Sequence, residues 1–318
     1  MSLTQLNDLS NTSFNVALFA YVGAMVASFA YLAFRSRWLA WGSTALGVVG
    51  IAANLSAVVT RGLAAERFPW GNMYEYSMAV TLLVAAFYLI GVELVWRIRT
   101  LGGPIYAFVV FTLAMASLFF YVPAGPLLPA LNSYWRQIHV TSMITASSLL
   151  GIGCIVTILY LIKDGFERRG AAGAPPPIMG AAIDGDVAAP HVPHDHVAAD
   201  DAPVGAQPAA RQGRLPSAAT LDRVAYRFIA FGFPIWTFGV IGGAIWAQEA
   251  WGRYWGWDPK ETWSFITWVI FAGYLHARAT SGYKGRRAAV IALVGFVSLL
   301  VTYYAVNLWI AGLHSYAT

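Results

Sequence analysis

Residues 138–162 read IHVTSMITASSLLGIGCIVTILYLI, a stretch without a single Asp, Glu, Lys or Arg. Apolar residues run through it continuously, and a helix needs about 20 of them to cross the hydrocarbon core of a bilayer. Backbone polar groups in lipid must be satisfied inside the segment, which a helix achieves by itself. The stretch therefore predicts a transmembrane α-helix.

Similar apolar runs recur on both sides of this stretch. The predicted spans are residues 14–34, 40–59, 76–96, 104–122, 138–162, 224–248, 262–279 and 288–311. The composition agrees, because 58% of the residues are hydrophobic and 11% are charged, whereas about a quarter are charged in soluble domains. The sequence predicts an all-α polytopic membrane protein of about eight helices and excludes a chain built from soluble domains.

Basic residues are divided unequally between the two sets of connecting loops. Fifteen of the 20 Lys and Arg residues fall in one set, and cytoplasmic loops are the ones that accumulate them. We therefore expect both termini, and the loop around Trp255, to lie on the outer face of a cell (plasma) membrane. The net charge of +5 has the same origin, so it does not indicate nucleic acid as a partner.

The hydrophobic pattern stops over residues 164–222, where Ala, Pro, Gly and Asp predominate. This composition cannot bury a core, so we predict a flexible cytoplasmic linker. The linker separates transmembrane helices 1–5 (residues 1–163) from transmembrane helices 6–8 and the Trp-rich loop (residues 223–318). The single cysteine, Cys154, lies within a span, so thiol chemistry would require a partner.

The predicted outer face concentrates aromatic and imidazole side chains. Six of the 13 tryptophans fall within 23 residues, namely Trp246, Trp251, Trp255, Trp257, Trp263 and Trp268. The topology brings two distant histidines, His139 and His314, to the same face. Two imidazoles can hold haem iron from opposite sides, and indole rings can cover the porphyrin faces. The pattern predicts a haem site.

Several residues of this region have alternative explanations. Tryptophans settle at bilayer interfaces without any ligand. Asp258 is expected to cap the next helix, with Pro259 at its first position and Glu261 completing a capping box. Met143, one turn after His139, is either a soft ligand or, as we expect, a core residue. The cationic side chains available to haem propionates are Arg136, Arg253 and Lys260.

A third histidine, His276, lies near the cytoplasmic end of the seventh predicted span. Ionisable side chains inside a membrane are costly and usually functional, so His276 is a candidate for an inner haem site. The alternative is a helix-end residue beside Arg278.

Residues 251–268, WGRYWGWDPKETWSFITW, resemble the WWD loop of the haem-handling proteins of cytochrome c maturation. Four other segments are similar to the CcsA (ResC) branch of that family, which belongs to system II. They are FPWGNMYE (68–75), WRQIHV (135–140), YLHAR (274–278) and GLHSY (312–316).

The resemblance implies roles for individual residues. It implies that His139 and His314 are the axial ligands of haem b beneath the WWD loop, and that His276 holds haem at an inner site during export. The loop residues that it adds to the cofactor site are Trp251, Trp255, Trp257, Asp258 and Trp263.

The resemblance also implies a function. A CcsB (ResB) membrane protein is the expected partner, and the complex would join haem vinyl groups to the thiols of a CXXCH motif in apocytochrome c. In fused versions of the family a second membrane histidine belongs to the CcsB portion. We expect a thiol-reducing partner as well, and the sequence offers no catalytic acid–base pair or nucleophile.

Two other functions remain open at this stage. One is a haem exporter that hands haem to a chaperone without attaching it. The other is a quinone-linked electron carrier resembling a cytochrome b, which is disfavoured because it needs histidines paired across the spans.

Overall fold

The computed structural model describes residues 1–125, 132–172, 215–280, 282–310 and 312–313. Within these ranges every regular element is a helix. The long helices are α1 (Leu3–Phe34), α2 (Arg37–Ala64), α3 (Met73–Ala86), α4 (Gly102–Phe119), α5 (Tyr134–Ala172), α6 (Ala218–Trp251), α7 (Pro259–Thr280) and α8 (Arg286–Leu300). The shorter elements are a π-helical extension of α3 (Phe87–Val95), a 3-10 turn before α4 (Arg99–Leu101), a π-helical extension of α8 (Val301–Ala305) and α9 (Val306–Trp309).

Seven of the helices in the described part of the chain, counted with their extensions, are long and apolar enough to cross a membrane. The prediction of an all-α polytopic membrane protein is therefore confirmed. The exception is α7, whose 22 residues mix apolar side chains with Trp, Ser, Thr and Tyr and carry charges near both ends. The count of eight spans and the orientation of the chain stay predictions.

The two helices that flank the predicted linker are longer than the predicted spans. Helix α5 continues to Ala172, and α6 begins at Ala218. Both ends of the predicted linker (164–222) are therefore helical. Residues 173–214 lie outside the described part of the chain, so the flexible linker remains a prediction there.

Helix α5 is central to the packing. Its buried residues belong to two apolar clusters, one built mainly with α1–α4 and the other with α6, α7 and α8. Small residues bring α5 close to α6: a Cβ atom added at Gly153 would meet Ile229 at 2.7 Å, and one added at Gly232 would meet Leu150 at 3.1 Å. Such residues allow membrane helices to pack backbone against backbone. The start of α5 is thereby fixed against the end of α6.

The start of α3 is held by a buried carboxylate. Glu75 pairs with Arg61 at 3.2 Å and with Arg67 at 2.8 Å, and the side chains of Glu75 and Arg61 are fully buried. The same carboxylate accepts a hydrogen bond from the backbone N–H of Gly71 at 2.7 Å. These contacts fix the loop that carries Trp70.

Candidate functional site

A cavity opens where the starts of α3, α5 and α7 meet the ends of α6 and α8. The space inside it, with the open solvent at its mouth included, is about 1090 Å³. Aromatic residues dominate the lining, namely Trp70, Tyr76, Trp236, Trp246, Trp251, Tyr254, Trp255 and Tyr303. A site of this kind suits a large, flat and mostly apolar ligand.

His139 lines the cavity from the second turn of α5. Its Nδ1 atom lies 2.7 Å from the carbonyl oxygen of Gly239, which can only accept a hydrogen bond. The hydrogen of the neutral imidazole therefore sits on Nδ1 and the lone pair on Nε2. The ring also stacks on Trp246, with centroids 6.0 Å apart and planes 24° apart. Helix α6 thus fixes both the tautomer and the orientation of His139.

Two glycines of α6 make room for the side chains of α5. A Cβ atom at Gly243 would lie 2.7 Å from Nδ1 of His139, and one at Gly239 would lie 2.6 Å from Sδ of Met143. Met143 is only 8% exposed and packs in an apolar cluster. The expectation that it is a core residue is confirmed, and it also contributes to the cavity lining.

The loop between α6 and α7 changes direction at two residues in the left-handed conformation. Gly252 ends α6 with φ of 70°, and Trp257 has φ of 59°, which is uncommon for a bulky residue. Trp255 lines the cavity, whereas Trp257 is 67% exposed. The two indoles meet edge to face, with centroids 5.8 Å apart. The loop therefore turns one indole inward and the next outward.

Asp258 begins α7, and its capping role is confirmed. Its Oδ1 atom accepts the backbone N–H of Lys260 at 3.1 Å, and Oε2 of Glu261 accepts the backbone N–H of Asp258 at 3.1 Å. The other oxygen, Oδ2, accepts the backbone N–H of Leu313 at 2.7 Å. Asp258 is buried behind the loop and ties the start of α7 to the C-terminal segment.

The charged side chains that reach the cavity, among the described residues, are Arg136, Lys260 and Glu261. Nη1 of Arg136 donates to the carbonyl oxygen of Trp70 at 2.9 Å, and Nζ of Lys260 donates to Oδ1 of Asn307 at 2.8 Å. Oε2 of Glu261 accepts the backbone N–H groups of Gly256 and Asp258 and lies 3.8 Å from Nη1 of Arg253. The balance of charge favours a ligand that carries carboxylates.

Burial changes the acidity of one of these groups. Desolvation lowers the pKa of Lys260 from 10.5 to about 8, against the opposing effect of the nearby Asp258 carboxylate. Lys260 precedes the predicted span 262–279. An anion bound beside this ammonium group would favour its charged form and raise its pKa again.

The structure gathers part of the predicted cofactor site. His139, Trp251 and Trp255 line the cavity. Trp257 is exposed and does not line the cavity. Trp263 is half-buried on α7 and is not one of the described lining residues either. Of the loop tryptophans, the inward-facing pair is therefore the part that can touch a ligand here.

Neither of the other two predicted histidines is among the described residues that line the cavity. His276 is exposed near the far end of α7, twelve residues beyond the cavity residue Ser264, which corresponds to about 18 Å along a helix. An inner site at His276 would be a second site. His314 lies outside the described residues, although the residue before it, Leu313, is the one bonded to Asp258.

Sequence reasoning missed three lining residues, Tyr76, Trp236 and Tyr303. The hydroxyl group of Tyr76 bonds to Oγ of Ser147 at 3.0 Å, and that of Tyr303 bonds to Oγ of Ser77. A tyrosine inside a span needs a partner for its hydroxyl group, and this need was the available signal. Tyr303 lies on a π-helical turn, an element that often marks functional sites and has no sequence signature.

Comparison with known proteins identifies the family. Residues 70–314 match the family described as Cytochrome C assembly protein. Cytochrome c biogenesis protein CcsA of Gloeobacter violaceus is 39% identical, with 93% of this chain and 94% of that protein covered. The CcsA protein of Gloeothece citriformis is 38% identical, with 99% of each chain covered.

A solved structure, Cytochrome c Heme Lyase CcmF, superposes with a TM-score of 0.65 over 96% of this chain at 16% sequence identity. The chain spans about half of CcmF (47%), so this likeness concerns the fold alone. The family match and the relatives that align along nearly the whole chain decide the assignment. The chain belongs to the cytochrome C assembly protein family, is similar to its CcsA members from end to end, and has a role in cytochrome c maturation.

Proposed function

We propose that the protein binds haem b in the cavity on the outer face of the plasma membrane. In this proposal it presents haem for covalent attachment to apocytochrome c, as one subunit of a cytochrome c synthase. The observation that carries the proposal is the hydrogen bond from Nδ1 of His139 to the carbonyl of Gly239. Metal-ligating histidines usually donate their other ring N–H to such an acceptor, which makes Nε2 the coordinating nitrogen.

The aromatic wall around His139 supports a porphyrin as the ligand. Trp246 stacks on the imidazole and contacts Trp251, with centroids 5.1 Å apart and planes tilted by 54°. Trp70 and Trp255 add further indole surface to the same cavity. Aromatic side chains bury a large area, and their rigid rings lose little conformational freedom in doing so.

The cationic residues support a ligand with an acidic edge. Arg136 and Lys260 both reach the cavity and are hydrogen-bonded in place. A guanidinium group can hold a carboxylate with two parallel hydrogen bonds, and an ammonium group acts as a point charge. We propose that these two residues bind the haem propionates, so that the vinyl edge is left for reaction.

We propose His314 as the second axial ligand. The support is its place in the segment GLHSY, together with the bond between Leu313 and Asp258. That bond joins the C-terminal segment to the start of α7, where Lys260 lines the cavity.

The proposed reaction adds each cysteine thiol of CXXCH across a haem vinyl group. A C–S bond forms, the C=C bond becomes a single bond, and the thiol hydrogen is transferred to the terminal vinyl carbon, so no electrons are gained or lost. Holding the two reactants in the right geometry can supply much of the rate enhancement. The contribution of this chain is therefore positioning: it binds haem, orients it and shields its faces.

The proposal requires partners. Cys154 is fully buried on α5, so this chain brings no thiol to the cavity. We propose a CcsB/ResB-type membrane protein as the second subunit, apocytochrome c as the acceptor, and a thiol-reducing protein that keeps its cysteines reduced.

Haem export is a second candidate function. Helix α7 carries the cavity residues Lys260 and Glu261 at one end and His276 near the other. A haem bound near His276 on the cytoplasmic side could be passed to the outer cavity and then released to a chaperone. Attachment requires the CcsB-type partner, whereas export alone does not, so deletion of the partner gene separates the two functions.

The proposed function is tested by the absorption spectrum of the detergent-purified protein, co-expressed with its CcsB-type partner. We expect a bis-histidine haem spectrum in the wild type, and its loss in the His139→Ala/His314→Ala double variant. A colourless wild-type preparation, with partner and haem supply verified, would show that the tryptophans serve only the membrane interface.

A further inference from the structure

Resting on the proposed haem site, we infer that Asp258 is a positioning residue for the second axial ligand. Its carboxylate fixes the C-terminal segment at Leu313 against the start of α7. His314 is the next residue of the chain, so we expect a change at this contact to act on the proposed ligand.

The two carboxylate oxygens of Asp258 accept different hydrogen bonds. Oδ1 accepts the N–H of Lys260 at 3.1 Å, as expected of a helix cap. Oδ2 accepts the N–H of Leu313 at 2.7 Å, 55 residues further along the chain. A cap needs one acceptor, and Ser or Asn would serve as well. The second, charge-assisted bond is therefore left unexplained by capping.

A glycine on the other side of this contact supports the inference. A Cβ atom at Gly312 would lie 2.7 Å from Oδ2 of Asp258 and 3.2 Å from Cδ of Pro259. The segment can approach the carboxylate this closely because residue 312 has no side chain. In the sequence GLH, Gly312 permits the close approach, Leu313 donates the hydrogen bond to Asp258, and His314 is the proposed ligand.

A second contact fixes the same two parts of the chain. Nζ of Lys260 donates to Oδ1 of Asn307 at 2.8 Å, which ties the start of α7 to α9. The chain from residue 307 to residue 313 is therefore held against α7 at both ends. His139 is fixed separately by α6. Two imidazoles that must meet one iron from opposite sides need this kind of fixed spacing.

The variants are chosen to separate the tether from the cap. Asp258→Ser keeps one oxygen for the N-terminus of α7 and loses the acceptor for Leu313. Gly312→Ala disturbs the contact between Asp258 and Leu313 from the side of the C-terminal segment, because it adds a methyl group beside the carboxylate. The matched control is Thr262→Val, which removes the hydrogen bond from Thr262 Oγ1 to the carbonyl of Trp257 (3.2 Å) and leaves the tether in place.

The first measurement is hydrogen–deuterium exchange at the backbone amide of Leu313, in the complex with the CcsB-type partner. Loss of a hydrogen bond to a charged group should speed exchange roughly tenfold or more in Asp258→Ser, and the control should exchange at the wild-type rate. An unchanged rate in Asp258→Ser would overturn the inference.

The second measurement is haem ligation, which a purely structural role would not alter. We expect Asp258→Ser and Gly312→Ala to retain haem but to convert part of it from six-coordinate low spin to five-coordinate high spin. Added imidazole should restore the low-spin spectrum. The damage in the double variant should be less than additive, because both substitutions act on the same contact. A wild-type spectrum in Asp258→Ser, or additive damage in the double variant, would overturn the inference.

Failure of the inference is distinguishable from failure of the proposed function. A wild-type protein without bis-histidine haem defeats the proposed function, and Asp258 then has no ligand to position. A wild-type protein with that spectrum, whose ligation and amide exchange do not respond to Asp258→Ser, leaves the proposed function intact and defeats the inference alone.

Discussion

The two ends of α7 hold their polar residues differently. At the first turn, Lys260 and Glu261 face the cavity and are hydrogen-bonded to neighbouring parts of the same chain. Near the other end, Arg278 pairs with Asp222 at 2.7 Å, whereas the imidazole of His276 is exposed. At the first turn the residues that face the cavity are held by their own chain, whereas at the far end the ion pair holds Arg278 and leaves the imidazole of His276 exposed.

The difference suggests a division of labour between subunits. A ligand site works best when its side chains are locked by their surroundings, and His139 meets this condition while His276 does not. On the proposed function, the exposed His276 would belong to an inner site that the CcsB-type partner completes with its own residues. The outer site, by contrast, should bind haem with the residues of this chain.

The largest effect on haem binding is expected from substitution of His139. We expect His139→Ala to weaken haem retention roughly 100-fold or more, because changes beside a metal ligand already cost 10- to 100-fold, and to abolish cytochrome c maturation. Haem content per purified protein and accumulation of holocytochrome c measure the effect. Added imidazole should restore part of it, and wild-type maturation without imidazole would contradict the assignment.

A smaller effect is expected when His139 is kept but displaced. The methyl group of Gly243→Ala would lie 2.7 Å from Nδ1, so the ring must move away from the carbonyl of Gly239. We expect haem retention to fall about tenfold, measured by haem titration of the purified complex. Gly42→Ala is the control, because its Cβ atom meets nothing within 4 Å. Equal retention in both variants would mean that the position of the ring does not matter.

The pH dependence of haem affinity should show whether Lys260 binds a haem propionate. The pKa of this side chain is about 8 because desolvation opposes its charge, and a bound propionate would raise that pKa. Haem affinity should therefore be level between about pH 7 and pH 8 and fall by up to tenfold per pH unit above pH 8. Lys260→Gln should bind roughly tenfold more weakly at pH 7 and lose this pH dependence. A parallel pH profile in wild type and variant would remove Lys260 from the site.

The smallest effect on the outer site is expected for His276→Ala. Since His276 lies about 18 Å along α7 from the cavity, the spectrum of outer haem in this chain should be unchanged. The same substitution in the complex with the partner should reduce the haem content of the second, inner site. Loss of the outer spectrum in His276→Ala would show that the two ends of α7 are coupled.

Much of the fold was predictable because a segment that crosses lipid must be apolar and must satisfy its own backbone hydrogen bonds, as a helix does. The apolar runs locate the helices, and the sequence Asp258-Pro259-Lys260-Glu261 locates the start of α7, since capping depends on neighbours within one turn. The predicted span 262–279 is a helix, α7, although it is not one of the seven described helices that are long and apolar enough to cross a membrane.

The site was predictable only in part, because its geometry depends on distant segments. Nothing local distinguishes Trp255 from Trp257, and the course of the loop depends on left-handed conformations at Gly252 and Trp257 that the sequence does not reveal. The tautomer of His139 depends on a carbonyl 100 residues away. Tyr303 faces the cavity from a π-helical turn, a register change that periodicity does not reveal.

The buried Glu75 also has a consequence for the way the chain enters the membrane. On the predicted orientation, Arg61 and Arg67 lie on the outer side, where basic residues oppose correct insertion. Glu75, at the head of α3, neutralises part of this charge at the tip of the α2–α3 hairpin. Removing one partner of a buried ion pair costs about 3–5 kcal/mol. Loss of Glu75 would thus leave two arginines at the tip of this hairpin without the carboxylate that they share.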